Sequence, residues 1–221
     1  MLDGIIQEFW GDKVKEVLDV SCGIGTQSLG LAKLGYRVTA SDVSPHAVKR
    51  AKKEAALRDL QITFRVADMR SAFKIHSKVF DIVISCDNSI PHLLTDNDIL
   101  GAFRQLFSCT KPGGGCIISV RDYASEDKSE NVLKVYGSKE ENGINYILLQ
   151  KWDWDQDLYD LSMYVIEDDG CDYCKTHVMR SRYYAITTTK LIQLMSEAGF
   201  INAVRLDGVF FQPVIIGSRK A

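Results

Sequence analysis

Two acids and two glycines carry the clearest chemical signal in this chain. The run Glu16–Val17–Leu18–Asp19–Val20 reads as a strand closing on an acid, and Ser21–Cys22–Gly23–Ile24–Gly25 follows it as a turn. A second run, Arg37–Val38–Thr39–Ala40–Ser41, closes on Asp42 with Val43 behind it. Glycines at a strand–turn–helix bend let the backbone come close to a ligand. A carboxylate at the end of the second strand can accept hydrogen bonds from both hydroxyls of an adenosine ribose. A nicotinamide-binding loop would want a third glycine where this chain has Ser28. It would also have no use for Asp19, whose charge repels a pyrophosphate. The pattern suits an adenosine ligand whose remaining part brings a positive charge or an amine.

Three further clusters could do chemistry. Asp68–Met69 closes the next strand. Its carboxylate can accept from an exocyclic amine or serve as a helix N-cap. Cys86–Asp87–Asn88–Ser89–Ile90–Pro91–His92–Leu93 follows a largely apolar run, where open α/β sheets place their ligand crevice. His92 there could meet a ligand or simply pack. Ser119–Val120–Arg121–Asp122–Tyr123 puts an arginine at the end of another strand. Arg121 could clamp a carboxylate through two parallel hydrogen bonds or pair with Asp122. Alternation puts Arg180 and Arg182 on one strand face. Cys171 and Cys174 with His177 offer a single ligand pair and read as a hairpin turn, so no metal site is expected.

The elements that must hold these groups can be read from periodicity. A helix is expected over 2–10, beginning without a cap, and strands over 16–20, 37–42, 62–67, 80–86 and 116–121. Helices fall between them, over 26–33 with Gly35 as its stop, from Ser44–Pro45 to about 58, and over 96–110. Lys111–Gly115 is expected as a turn. Strand–helix alternation means a parallel sheet with right-handed crossovers. After 122 the pattern breaks. Residues 123–143 read as loop, then 145–154, 158–167 and 175–185 as an antiparallel meander. A threonine-capped helix ending at Gly199 and strands over 201–206 and 213–218 complete the core. The expected architecture is α/β, a doubly wound, mostly parallel seven-stranded sheet with an antiparallel β insertion after strand five. The core is 1–122 with 186–221, and 123–185 is the insert, covering the acceptor side or meeting another subunit.

The chain resembles the class I S-adenosylmethionine-dependent methyltransferases over nearly its whole length, with the Asp19–Val20–Ser21–Cys22–Gly23 form, Asn88–Ser89–x–x–His92–Leu93, and Arg121 followed by Tyr123 pointing to the glycine/sarcosine N-methyltransferase branch. The resemblance implies S-adenosylmethionine as cofactor and S-adenosylhomocysteine as product. It implies cofactor contacts at Asp19, Ser21, Gly23, Gly25, Asp42, Val43, Asp68, Met69, Cys86 and His92. It implies acceptor handling by Asn88, Arg121 and His92, with Asp87 standing where the branch has glycine. The expected acceptor is a small molecule, foremost a carboxylate-bearing amine such as glycine. Another N- or O-acceptor, an RNA, or a non-catalytic binder of the cofactor are the alternatives. That branch carries an upstream lid segment, which is expected to be absent or incomplete here.

Bulk properties narrow the classes. A chain of 221 residues with 46% hydrophobic residues can build one full core with an insertion. A net charge of −2 argues against a nucleic-acid partner. Six scattered cysteines suit reduced, buried thiols, and no signal sequence or membrane-length apolar run is seen. A cytoplasmic protein, away from membranes and open to homo-oligomerisation, is expected.

Overall fold

The apolar runs of the first half of the chain become a parallel sheet. In the computed structural model, which describes residues 1–129 and 132–221, β1 (Glu16–Asp19) pairs in parallel with β2 (Arg37–Asp42) and with β4 (Phe80–Ser85). With β3 (Thr63–Val66), β5 (Thr110–Ser119), β10 (Ile201–Leu206) and β11 (Val214–Ser218) they form one seven-stranded sheet, ordered β10-β11-β5-β4-β1-β2-β3. Only β11 runs antiparallel to its neighbours β5 and β10. Strand order reverses between β1 and β4, the switch point at which such sheets bind ligands outside their carboxyl ends.

Val17, Leu18, Ile82, Val83, Ile84, Ile117 and Ile118 are wholly buried, as strands covered on both faces require. Helix α1 (Leu2–Trp10) adds Leu2, Ile5 and Ile6 to the cluster formed by Val17, Ile82 and Ile117, and α2 (Thr26–Lys33) adds Leu31. A Cβ on Gly115 would lie 2.0 Å from the Trp10 ring, so α1 seats against β5 only because that residue has no side chain. Helix α3 (Pro45–Ala56) starts on Ser44, whose hydroxyl caps Ala47 N–H. Helix α4 (Ala72–His76) leads into β4. Helix α5 (Asp96–Cys109) buries Ile99, Ala102, Phe103 and Leu106, and α6 (Thr188–Glu197) is capped by Thr187.

The expected turn at 111–115 lies inside β5. Thr110 faces Phe80 while Gly115 faces Ile82, so the extra residues bulge out, with Gly113 at φ 77°. The Pro–Gly chemistry therefore produces an irregularity within a strand. Strand β5 also ends at Ser119, so Arg121 lies just past it.

The chain divides into two compact units. One comprises Met1–Ile90, Thr95–Asp122 and Thr187–Ala221, and the other Pro91–Leu94 and Tyr123–Ile186. The second unit is a four-stranded antiparallel sheet in the order β6 (Val132–Glu141), β7 (Ile144–Asp155), β8 (Leu158–Asp168) and β9 (Lys175–Tyr184). Four strands stand where three were expected. Strand β6 falls in the stretch 123–143 read as loop; residues 130 and 131 of that stretch lie outside the described residues. Its lysines, glutamates and Gly137 hide the strand pattern, because β6 is an edge strand broken by a bulge between Val135 and Gly137. Trp152 and Tyr159, both buried, stack at 4.5 Å in the heart of this unit.

Candidate active site

The loop after β1 is held in a shape that glycine makes possible. Gly23 and Gly25 have φ of 52° and 99°. Gly25 N–H donates to Cys22 O at 2.8 Å, and Cys22 N–H to Ser41 O at 2.9 Å, which ties the loop to β2. Asp42 fixes it further. Its Oδ2 accepts from Gly23 N–H at 2.8 Å and its Oδ1 from Ser44 N–H at 2.9 Å. Each carboxylate oxygen has a second lone pair, enough for a vicinal diol in addition to these amides. Val43, next in the chain, is exposed.

Asp19 is buried to 1% exposure. Its Oδ2 accepts from Ser28 Oγ at 2.7 Å and its Oδ1 from Ser21 N–H at 3.2 Å. Burial pushes its pKa up to about 7, the neighbouring Asp42 and Asp87 carboxylates push the same way, and the bonds from Ser28 and Ser21 oppose them. Ser28 is thus the partner of the acid. The sequence offered a signal for it, a small polar residue one turn before Leu31 on the buried side of α2.

The loops after β4 and β5 are stitched to the same region. Ser21 Oγ and Ser85 Oγ lie 2.8 Å apart. Asp87 and Asn88 both take left-handed backbone, φ 57° and 63°, a conformation that short Asp and Asn side chains tolerate. Asp87 N–H donates to Ser119 Oγ at 2.8 Å and Asn88 N–H to Ser119 O at 3.1 Å. Asn88 Oδ1 accepts from Arg121 N–H at 3.0 Å, and Gln27 Nε2 donates to Asp87 Oδ2 at 3.1 Å. The buried Cys86 thiol is pushed well above its ordinary range, by burial first, and its carbonyl accepts from Ser89 Oγ.

Asp68 also has a structural role. Asp68 caps the short 3-10 helix Met69–Ser71, accepting from Arg70 N–H at 2.8 Å. Its Oδ2 also takes Arg70 NH2 at 2.7 Å, and these bonds hold its pKa down. The capping role weighed in the sequence is the one the geometry displays. His92 has an aromatic neighbour. It belongs to the second unit, with its ring centroid 4.1 Å from that of Tyr183, and Tyr183 stacks on Tyr159. Tyr123, also of that unit, is buried with its hydroxyl 3.1 Å from Tyr159 Oη.

Residues 17–114 match the family described as a methyltransferase domain. A putative methyltransferase of Bacillus subtilis is 30% identical over 171 residues, 75% of this chain and 66% of that protein. This chain carries a methyltransferase domain, on the fold of the S-adenosylmethionine-dependent methyltransferases. A glycine/sarcosine N-methyltransferase of Parasynechococcus marenigrum is 34% identical over 49% of this chain and 39% of its own. A ubiquinone biosynthesis O-methyltransferase of Xanthomonas campestris is 35% identical over 47% of this chain and 41% of its own. The chain therefore spans between 39% and 66% of the length of these relatives. Among solved structures, the amino pentose methyltransferase CalS10 of Micromonospora echinaspora superposes with a TM-score of 0.85 at 15% identity, covering 99% of this chain and 89% of that one. Within this family fold, two acids flank the glycine loop, and the donor set suits a diol and a cationic amino-acid moiety better than a pyrophosphate. No helix of the described residues is long and apolar enough to cross a membrane.

Proposed function

We propose that this methyltransferase binds S-adenosylmethionine at the glycine loop after β1 and methylates a small-molecule acceptor, foremost a carboxylate-bearing, glycine-like amine. The observation that carries the cofactor reading is Asp42, whose two oxygens brace Gly23 and Ser44 and keep lone pairs for a ribose diol. When bound, the cofactor supplies a methyl group already activated on a sulfonium. The chain has only to bind, orient and accept a proton, and positioning can supply most of the acceleration.

Asp42 takes the ribose hydroxyls. Asp19, near neutrality in its protonation, faces the loop from β1. Asn88 holds the acceptor nitrogen, and Arg121 takes its carboxylate through a two-pronged contact. Asp87 accepts the proton the amine must lose. Its left-handed backbone, where the resembled branch has glycine, is held by Ser119 and Gln27. The glycine/sarcosine N-methyltransferase match supports an amine.

The O-methyltransferase match at nearly equal identity favours an oxygen acceptor as the second reading. Labelled S-adenosylmethionine offered with glycine, sarcosine, other small amines and phenols separates them. Label moving to glycine or sarcosine supports the first reading, and label moving to phenols alone supports the second.

A further inference from the structure

We propose that one face of the β6–β9 sheet is the docking surface for a second copy of this chain. Pairing register puts Val135, Leu149, Tyr164 and Val178 in one unbroken row across all four strands. The adjoining row places Ile147 opposite Ile166. None of the six is buried; Val135 is 71% exposed and Val178 38%. A sheet with one face on a core normally turns polar residues to the other face. Here the core face is the opposite one, where Trp152, Tyr159, Leu161 and Gln150 are buried. The outward face is instead apolar at its centre, the mark of an interaction site.

Charge selects the occupant. Beyond the apolar rows at one end of this face lie Glu140 and Asp168, and at the other end Lys151, which pairs with Asp153 at 2.6 Å, and Arg180. Consider two such sheets packed face to face about a two-fold axis that runs across the strands, between the two apolar rows. Strand direction reverses between copies, so the Leu149 row covers the Ile147 row of its partner. The acidic end then covers the basic end. Glu140 approaches Lys151, and Asp168 approaches Arg180, each offset by one strand, about 4.8 Å, between sheets about 10 Å apart, a gap that long side chains reaching from both faces close. A self-complementary patch of this kind is what an isologous interface requires. Ion pairs between copies fix its register more than they add affinity.

Sedimentation equilibrium on the whole chain tests this. The expected mass is twice the 24.8 kDa of one chain, falling toward 24.8 kDa on dilution. Tyr164→Glu is expected to weaken dimerisation at least tenfold. Because that change sits in a sheet, a charge swap guards the conclusion. Lys151→Glu alone should weaken the dimer, and Lys151→Glu with Glu140→Lys should restore it. A chain that is monomeric at every concentration would leave this face to another partner and overturn the proposal. A dimer indifferent to Tyr164→Glu would place the contact elsewhere and overturn it equally.

Discussion

Asp19 and Asp42 end adjacent strands, yet the structure treats them differently. Asp42 is spent on amides of the loop it supports, whereas Asp19 is sealed in and left with Ser28 and Ser21 as partners. A carboxyl whose native pKa is raised to about 7 binds more protons folded than unfolded between its ordinary range and that value. Stability therefore declines as pH rises from about 4 to about 7 and is flat above. Asp19→Asn removes this term while keeping an acceptor for Ser21. It is expected to melt several degrees above the parent at pH 8 and to converge with it only at or below about pH 4, on the order of 2–4 kcal/mol at the higher pH. Equal melting of the two at both pH values would mean that Asp19 is not held near neutrality. At the acceptor, Arg121→Ala should raise the acceptor KM tenfold or more with little change in cofactor Kd. Asp42→Ala should do the reverse, weakening S-adenosylhomocysteine binding by calorimetry. Equal effects of Arg121→Ala on both constants would remove the clamp. The sequence exposed the acids and glycines because backbone geometry and charge restrict those positions to few residue types. It hid the bond from Ser28 to Asp19 and the bond between Gln27 and Asp87, because a serine or glutamine reveals its partner only once the fold brings the two together.

The central strands of the large sheet were legible because burial on both faces leaves largely apolar runs such as Phe80–Cys86, bounded by turn residues. The cap at Ser44, and a threonine cap among 187–189 that the structure assigns to Thr187, were legible from local residue types. Strand β6 was not, since an edge strand with a bulge carries polar residues and a glycine in the positions that would mark a buried one. The fate of Lys111–Gly115 also lay outside local pattern, because whether a Pro–Gly run turns the chain or bulges inside a strand depends on what β4 offers for pairing. Gly115 carries a prediction at this scale. Its missing side chain admits Trp10, whose Nε1 donates to Ser218 Oγ at 3.2 Å. Gly115→Ala should displace α1 and destabilise the fold by about 1–3 kcal/mol in urea unfolding. A second change, Trp10→Ala, should make the glycine substitution nearly neutral, since the collision partner is gone. Full cost in both backgrounds would show that Gly115 is needed for strand geometry instead.

At the scale of the molecule, one unit supplies the glycine loop and the β4 and β5 loops, and the other supplies an antiparallel sheet with an aromatic heart and an apolar outer face. His92 illustrates how the division matters. Its place in a polar run after β4 left ligand contact and packing both open; Pro91–Leu94 groups with the second unit and the ring packs on Tyr183. The family follows from the sheet, the loop and the matched sequence together, while the acceptor depends on a few side chains after β4 and β5. Transfer of label from methyl-labelled S-adenosylmethionine to glycine or sarcosine, with S-adenosylhomocysteine formed in equal amount, tests the central claim most directly. The account predicts amine-dependent transfer that falls at least tenfold in Asp42→Ala and at subsaturating acceptor in Arg121→Ala. No transfer to any small amine, or transfer unaffected by both substitutions, would contradict it.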